Sequence, residues 1–463
     1  MAESVSKRIS AFPADFLWGA GVSAYQVEGG NHNDWTVWEL AHATELASKA
    51  EERWGKLVNW PAIKEQATNP ANYVSDIAVD HFHRYKEDFR ILKQLNLNAF
   101  RTGIEWSRLE PEEGKWNEEA FQHYHTYLKE LSAQGITPIV TLWHQTLPVW
   151  FAEKGGFAKR KNLKYFTQHI QKVGEKLGHD MKYVIVMNEP NMYTWFSYYV
   201  GENPPQVKSF WTSVKVYLNL IQAYKESYRI LKKIDHTLQI GTAHHIIHLS
   251  EGDEKWTTRF WVRFRGHQWN WFFLRRARGQ MDFVGMNYYH ADTYFGKTIK
   301  NPNKKLSDMG WDMQPQLIEE VLKQTYQKTR KPILITENGV ADSDDAFRRW
   351  WLEGTLRGIQ RALRADVPVI GYIHWSLLDN FEWTHGFWPK FGLVAIDRKT
   401  MKRIIRPNAR WFARVIRGIT PTAEKPEVEK PHHERVEKAL KHLGYRDEKT
   451  RSQMSDVGIQ NKS

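Results

Sequence analysis

The chain has 463 residues, 41% of them hydrophobic, with a net charge of +13 at neutral pH and no cysteine. The missing cysteine excludes a disulfide scaffold, and the scattered lysines and arginines form no basic run of the kind that marks a nucleic-acid face. No apolar run approaches the ~20 residues of a membrane helix, and Met1–Ser10 is polar where a secretory signal would be apolar, so a cytoplasmic protein with no nucleic-acid or membrane partner is expected.

Taken in chain order, eight short apolar runs stand out. They are Phe16–Ala24, Ala99–Ser107, Ile136–His144, Tyr183–Pro190, Gln239–His245, Asp282–Tyr289, Pro332–Gly339 and Val369–Leu377. Each is rich in β-branched or aromatic residues, as a strand buried on both faces requires. Helical spacing separates several of them. Phe121, Tyr124, Leu128 and Leu131 share one face before Gly135, and Leu163, Phe166, Ile170, Val173 and Leu177 share another. Ile318, Val321 and Leu322 repeat the pattern ahead of the seventh run. Strand and helix alternating eight times predict a single α/β domain, a (β/α)8 barrel, over 11–419. Residues 1–10 read as a polar arm. Residues 420–463 read as a polar extension, with one helix near His433–Leu443. Ala41–Ala71 and Glu251–Arg278 read as loop insertions. With 22 Trp, 19 Tyr and 22 Phe, the chain has rings to spare for flat platforms under sugars or bases.

In such barrels the active site lies at the C-terminal ends of the strands. The runs end on, or close to, polar groups: Gln26, Arg101 and Glu105, His144, Asn188 and Glu189, His244 and His245, Asn287 and Tyr289, Glu337 and Asn338, and Trp375. A carboxylate at the end of a buried strand is costly unless paired or used. Two of them, Glu189 and Glu337, suit glycosidic cleavage, where one carboxyl protonates the leaving oxygen and the other attacks carbon or activates water. Retaining enzymes hold the pair ~5–5.5 Å apart and inverting ones ~6.5–9.5 Å, and sequence spacing leaves that choice open. Metal candidates among His81, His83, His244, His245, His248 and His432-His433 sit in no metal-binding frame, and no glycine-rich phosphate loop is present.

The segments Met187-Asn188-Glu189-Pro190 and Ile335-Thr336-Glu337-Asn338-Gly339 resemble the two signatures of glycoside hydrolase family 1. The likeness extends from Phe12 to Gly418 through Phe16-Leu-Trp-Gly-Ala, Ala24-Tyr-Gln26-Val-Glu28-Gly, Asp80–Asp88, Phe100-Arg101, Trp143-His144, Asn287-Tyr-Tyr289 and Trp375–Trp383. It implies retaining hydrolysis of β-linked glucosides, galactosides or fucosides from the non-reducing end, without metal or cofactor. Glu189 would be the acid/base and Glu337 the nucleophile, supported by Arg101, Asn188, Asn287 and Tyr289. Gln26, His144, Asn188, Trp375, Glu382 and Trp383 would bind the sugar. The sequence departs from the pattern at Gln145-Thr146-Leu147-Pro148 and Arg101-Thr-Gly-Ile-Glu105-Trp106, which bears on acceptor preference. Competing readings are a 6-phospho-β-glycosidase, against which a glutamate at 382 would set its charge, and a sugar-binding protein without catalysis, against which both carboxylates stand.

Overall fold

The computed structural model describes residues 12–300 and 305–418. The polar arm, and the tail with the helix expected near His433–Leu443, lie outside the described residues. Eight parallel strands close into a barrel in chain order: β1 Leu17–Gly21, β2 Ala99–Gly103, β3 Thr137–Thr141, β4 Tyr183–Asn188, β5 Gln239–His245, β6 Phe283–Asn287, β7 Ile333–Asn338 and β8 Val369–Trp375. β8 returns to β1 with Leu17 opposite Gly371 and Gly21 opposite Trp375. Each of the eight expected runs contains one of these strands. All the strands but β5 stop short of the runs' ends, so Glu105 lies just past β2, before the short helix Trp106–Leu109.

The interior is filled from every stave. Leu17, Ala99, Ile139, Ile185, Ala243, Phe283, Leu334 and Ile373, one from each strand, form a single buried cluster. Small residues make room for the large ones. A Cβ on Gly241 would come within 2.8 Å of the Phe283 ring, so glycine there lets the phenyl group cross the barrel.

The outer layer carries the helices α1 His81–Gln94, α2 Glu118–Ala133, α3 Leu163–Leu177, α4 Phe210–Ile234, α5 Phe272–Ala277, α6 Ile318–Thr329, α7 Arg348–Arg364 and α8 Pro407–Ile416. Asn117 caps α2 by accepting from the Ala120 amide at 3.1 Å, and α2 buries Phe121, Tyr124, Leu128 and Leu131, the face expected from spacing. α3 buries Leu163, Phe166, Ile170, Val173 and Leu177 in the same way. Among the described residues, no helix is long and apolar enough to cross a membrane.

Both insertions differ from the loops expected. Ala41–Ala71 is mostly helical. It takes in the end of Asp34–Ser48, started by a capping box between Asn33 and Thr36, then Ala50–Trp54 and Trp60–Ala67. Trp35 and Trp38, which precede it on the helix Asp34–Ser48, pack on Tyr25, Phe381 and Phe387 and tie that helix to the rim above β1 and β8. Glu251–Arg278 is helical too, and its last part is α5, the fifth barrel helix.

Candidate active site

Two strand ends deliver the carboxyls. β4 ends at Asn188, and Glu189 then takes the left-handed conformation, φ +48° and ψ +56°, with its amide bonded to the Ala243 carbonyl at 2.8 Å. A non-glycine residue pays about 1–3 kcal/mol for that backbone, and such strain gathers at functional sites. The pairing of β4 with β5 shifts register between Ile185 and Asn188, and that of β7 with β6 between Ile335 and Glu337. Such bulges re-aim side chains at barrel rims. Both carboxyls line one cavity of about 300 Å3, with Glu189 8% and Glu337 4% exposed.

A buried hydrogen-bonded frame lies under them. Arg101, fully enclosed, donates to the Glu337 carboxylate and, through its other terminal nitrogen, to Asn188 Oδ1 at 2.7 Å. The nitrogen that meets Glu337 also reaches the Thr336 carbonyl at 3.0 Å. Tyr289 donates its hydroxyl to Glu337 Oε2 at 2.6 Å. Asn287 donates to Asn188 Oδ1 at 3.1 Å and to Glu189 Oε1 at 2.8 Å, and accepts from the Thr336 hydroxyl at 2.6 Å. Asn188 in turn donates to His144 Nε2 at 2.9 Å. That bond requires an imidazole with its proton on Nδ1. Burial and the Arg101 charge push His144 well below the ordinary imidazole range, in agreement with a neutral ring.

The two carboxyls sit in unlike surroundings. Burial, then the charge of Glu337, raises Glu189 to about 8, against the opposing pull of Asn287 and Arg101. Glu337 accepts from a guanidinium and a phenol. Burial and the neighbouring carboxylates hold the Tyr289 hydroxyl far above its ordinary value, so it remains a donor.

A third carboxyl, Glu382, faces the same cavity and is raised to about 8 by burial and then by Glu337. Gln26 anchors it, donating to Glu382 Oε2 at 3.3 Å and to the Phe381 carbonyl at 2.8 Å. The His144 ring lies nearly parallel to Trp375 and Trp383, with centroids 6.1 and 6.0 Å away.

Of the residues expected from the sequence, Gln26, His144, Asn188, Glu189, Tyr289, Glu337, Trp375, Glu382 and Trp383 all line the cavity. Arg101 and Asn287 act from the layer beneath it through the bonds above. His245 joins the wall, whereas His244 turns away to the Trp269 carbonyl and the Phe273 ring. Glu105 is not brought to the cavity; its carboxylate accepts from Ser107 and Thr146. Sequence reasoning missed Trp195, Glu202, Trp269, His290 and Trp311, which also line it. They sit in insertions and rim segments with no motif, and the density of tryptophan in 251–278 was the one available signal. Among the described residues, one group has metal-compatible spacing, His125, His179 and Asp180. It precedes β4 and so belongs to the opposite end of the barrel.

Paired buried carboxyls in unequal environments, opening on a cleft walled by indole rings at the working end of a parallel barrel, define a glycoside hydrolase. Comparison with known proteins narrows the class. The sequence model of glycosyl hydrolase family 1 matches residues 8–279 and 273–419. β-Glucosidase A of Thermotoga maritima is 28% identical over 89% of this chain and 98% of its own. Among solved structures, a β-glycosidase from Pyrococcus horikoshii is 31% identical with a TM-score of 0.77, covering 94% of this chain and 98% of its own. A β-glucosidase from Thermotoga maritima in complex with glucoimidazole is 26% identical with a TM-score of 0.79, covering 89% and 99%. The chain belongs to glycosyl hydrolase family 1.

Proposed function

We propose that the protein is a retaining exo-β-glycosidase that removes terminal β-D-glucosyl residues, and β-galactosyl or β-fucosyl residues with them. The observation that carries this reading is the contrast between the two carboxyls in one cavity. Glu189 is raised to about 8 and holds a proton at neutral pH, while Glu337 is clasped by Arg101 and Tyr289. In the first step Glu337 attacks the anomeric carbon as Glu189 gives its proton to the departing oxygen. The product is a glycosyl ester on Glu337. Glu189, now a carboxylate with no Glu337 charge opposing it, takes a proton from water as that water's oxygen bonds the anomeric carbon and the ester bond to Glu337 breaks, so the sugar leaves with its configuration retained and both carboxyls are restored. The proton and the nucleophile are both side chains, so the chemistry calls for no cofactor.

The same reading assigns the sugar's grip. Asn188 is offered to the 2-hydroxyl, a contact that strengthens in the transition state. His144 Nδ1 is buried without a protein partner and serves as donor to a hydroxyl. Gln26 and Glu382 form a bonded pair able to meet adjacent hydroxyls, with the Trp383 indole beside them and Trp375 as the platform.

A 6-phosphorylated substrate is disfavoured on charge. Among the described residues lining the cavity there is no lysine or arginine, and burial keeps His144, His245 and His385 below the ordinary imidazole range. A phosphate dianion would therefore enter without a lysine or arginine to meet it. The test is nitrophenol release from the aryl β-D-glucoside and from its 6-phosphate at equal concentration. Turnover of the plain glucoside, abolished in Glu337→Ala, is expected. Turnover of the phosphate alone would overturn the substrate, and normal turnover by Glu337→Ala would overturn the nucleophile.

A further inference from the structure

The end of the barrel away from the catalytic carboxyls holds a separate cluster of titratable side chains. His125 stands on α2. His179 and Asp180 close the tight turn Gly178–Asp180, which follows α3 and leads into β4. His125 Nδ1 lies 2.6 Å from Asp180 Oδ2, and His179 Nε2 lies 3.4 Å from the same oxygen. The two imidazole rings are 5.5 Å apart between centroids. One oxygen thus faces two ring nitrogens, and one ligand atom from each of the three residues falls within 4.8 Å of the others.

This arrangement differs from the other contacts between histidine and carboxylate. His81, His83, His248 and His290 each meet a carboxylate alone, and His81 is closed off between Asp88 and the Tyr127 hydroxyl. Among the described residues, Asp180 is the one carboxylate that two imidazoles share. Its side chain is 6% exposed, yet among those residues no lysine, arginine or backbone amide meets it. A carboxylate so deeply placed is costly without a positive partner. An unprotonated imidazole brings a lone pair but no charge, whereas a divalent cation brings the charge and accepts a lone pair from all three side chains.

The distances suit such an ion. With bonds of ~2.0–2.2 Å to nitrogen and oxygen, the ligand atoms of a tetrahedral zinc stand roughly 3.2–3.6 Å apart. The His179 contact is already in that range, and the His125 pair needs to part by roughly 0.6 Å or a little more. The His179 side chain is 62% exposed, so it has room to adjust, and the fourth position faces solvent.

We propose that His125, His179 and Asp180 bind a divalent transition metal of the zinc class, which fastens α2 to the turn feeding β4. Nitrogen donors favour zinc, cobalt or nickel over magnesium and calcium, which take oxygen. His125 and Asp180 are 55 residues apart in the chain, and a clip across so long a loop restricts the unfolded chain more than a local one does. It adds a second tie to the ion pair of Lys176 on α3 with Glu118 on α2, at 2.8 Å. Because the ion sits at the far end of β4 from Glu189, it acts on stability and takes no part in the cleavage.

The test is calorimetric titration with zinc chloride of the full chain, free of any tag and dialysed against chelator. One equivalent binds with Kd below about 100 µM, and zinc at a hundred times Kd raises Tm by about 3 °C. His179→Ala, a change at an exposed position, and Asp180→Asn each weaken binding at least about tenfold and cancel the rise in Tm. Absence of binding in that range overturns the proposal. So does binding that both substitutions leave unchanged, because the zinc then sits elsewhere, as at the cavity histidines or at His432-His433. An equal rise in Tm with magnesium chloride overturns the class of metal.

Discussion

Replacing Glu189 by glutamine separates the carboxyl's role as proton donor from its cost as a buried charge. Glutamine keeps the shape and an oxygen for the 2.8 Å bond from Asn287, but it neither donates an acidic proton nor ionises. In the folded protein the carboxyl rises from an ordinary 4.5 to about 8, through burial first and the Glu337 charge second. Between those values the native state keeps a proton that the unfolded chain has released. Stability therefore falls as pH rises through that window. At about 1.4 kcal/mol for each tenfold change in ionisation, the full penalty above pH 8 is on the order of 5 kcal/mol as an upper bound. Glu189→Gln carries none of it. The stability gap between variant and parent should be small at pH 5, widen through pH 8 and level off beyond. At about 1 °C per kcal/mol for a chain of this length, scanning calorimetry should show Tm of the variant gaining about 3–5 °C on the parent between pH 5 and 9. Activity should move the other way. kcat/KM for alkyl glucosides, whose leaving group needs the proton, should drop about 10²–10⁴-fold, with a much smaller loss for nitrophenyl glucosides. The fall in the parent's kcat/KM above pH 8 should also vanish. A Tm gap that ignores pH, or equal losses on both leaving groups, would refute the assignment.

Two further substitutions probe the frame and the fold. Arg101→Met leaves the Glu337 carboxylate buried without its cation, which should destabilise by about 3–5 kcal/mol in urea titration and lower kcat/KM more than about a hundredfold; an unchanged midpoint would show that the pair does not hold the site together. Ile185→Ala opens the fully buried cluster inside the barrel and should cost about 2–5 kcal/mol, read from the same titration, while KM for nitrophenyl glucoside stays within about twofold. A cost below 1 kcal/mol would mean that the interior collapses around the lost side chain.

The barrel was legible because its signal is local. A parallel strand buried on both faces must be an apolar run, so Tyr183–Met187 and Ile333–Ile335 announce themselves, and the stripe Leu163–Leu177 can only be a helix facing a core. Most strand ends were blurred, by up to four residues, because the chain stays buried past the last ladder bond, as at Ile104-Glu105 after β2. The insertion over 41–71 hid its helices for a different reason. Its buried residues Ala43 and Ala47 pack on Tyr73, and Ala50, Trp60, Ile63 and Ala67 join a cluster with Tyr289, Trp375 and Phe391, so they answer to separate rim patches rather than to a continuous core. No regular stripe is needed, and none is written. The residues of the site that come from strand ends could be read from position. What could not be read is that Arg101 forks between Glu337 and Asn188, or that Trp195 and Trp269 wall the same cavity, since each depends on meeting a partner from a distant segment.

The frame beneath the carboxyls joins β2, β4, β6 and β7 through Arg101, Asn188, Asn287 and Thr336. None of these four residues comes from segments 190–207 or 251–271, which wall the cavity above. The spacing and tuning of the two carboxyls are thus set by staves that lock one another, and the choice of what lies beside the sugar is left to the rim. Reaction and selectivity are separable in this molecule. Segments 190–207 and 251–271 could be exchanged for others of different length and polarity, and the same bond-breaking machinery would be presented to a new clientele of molecules.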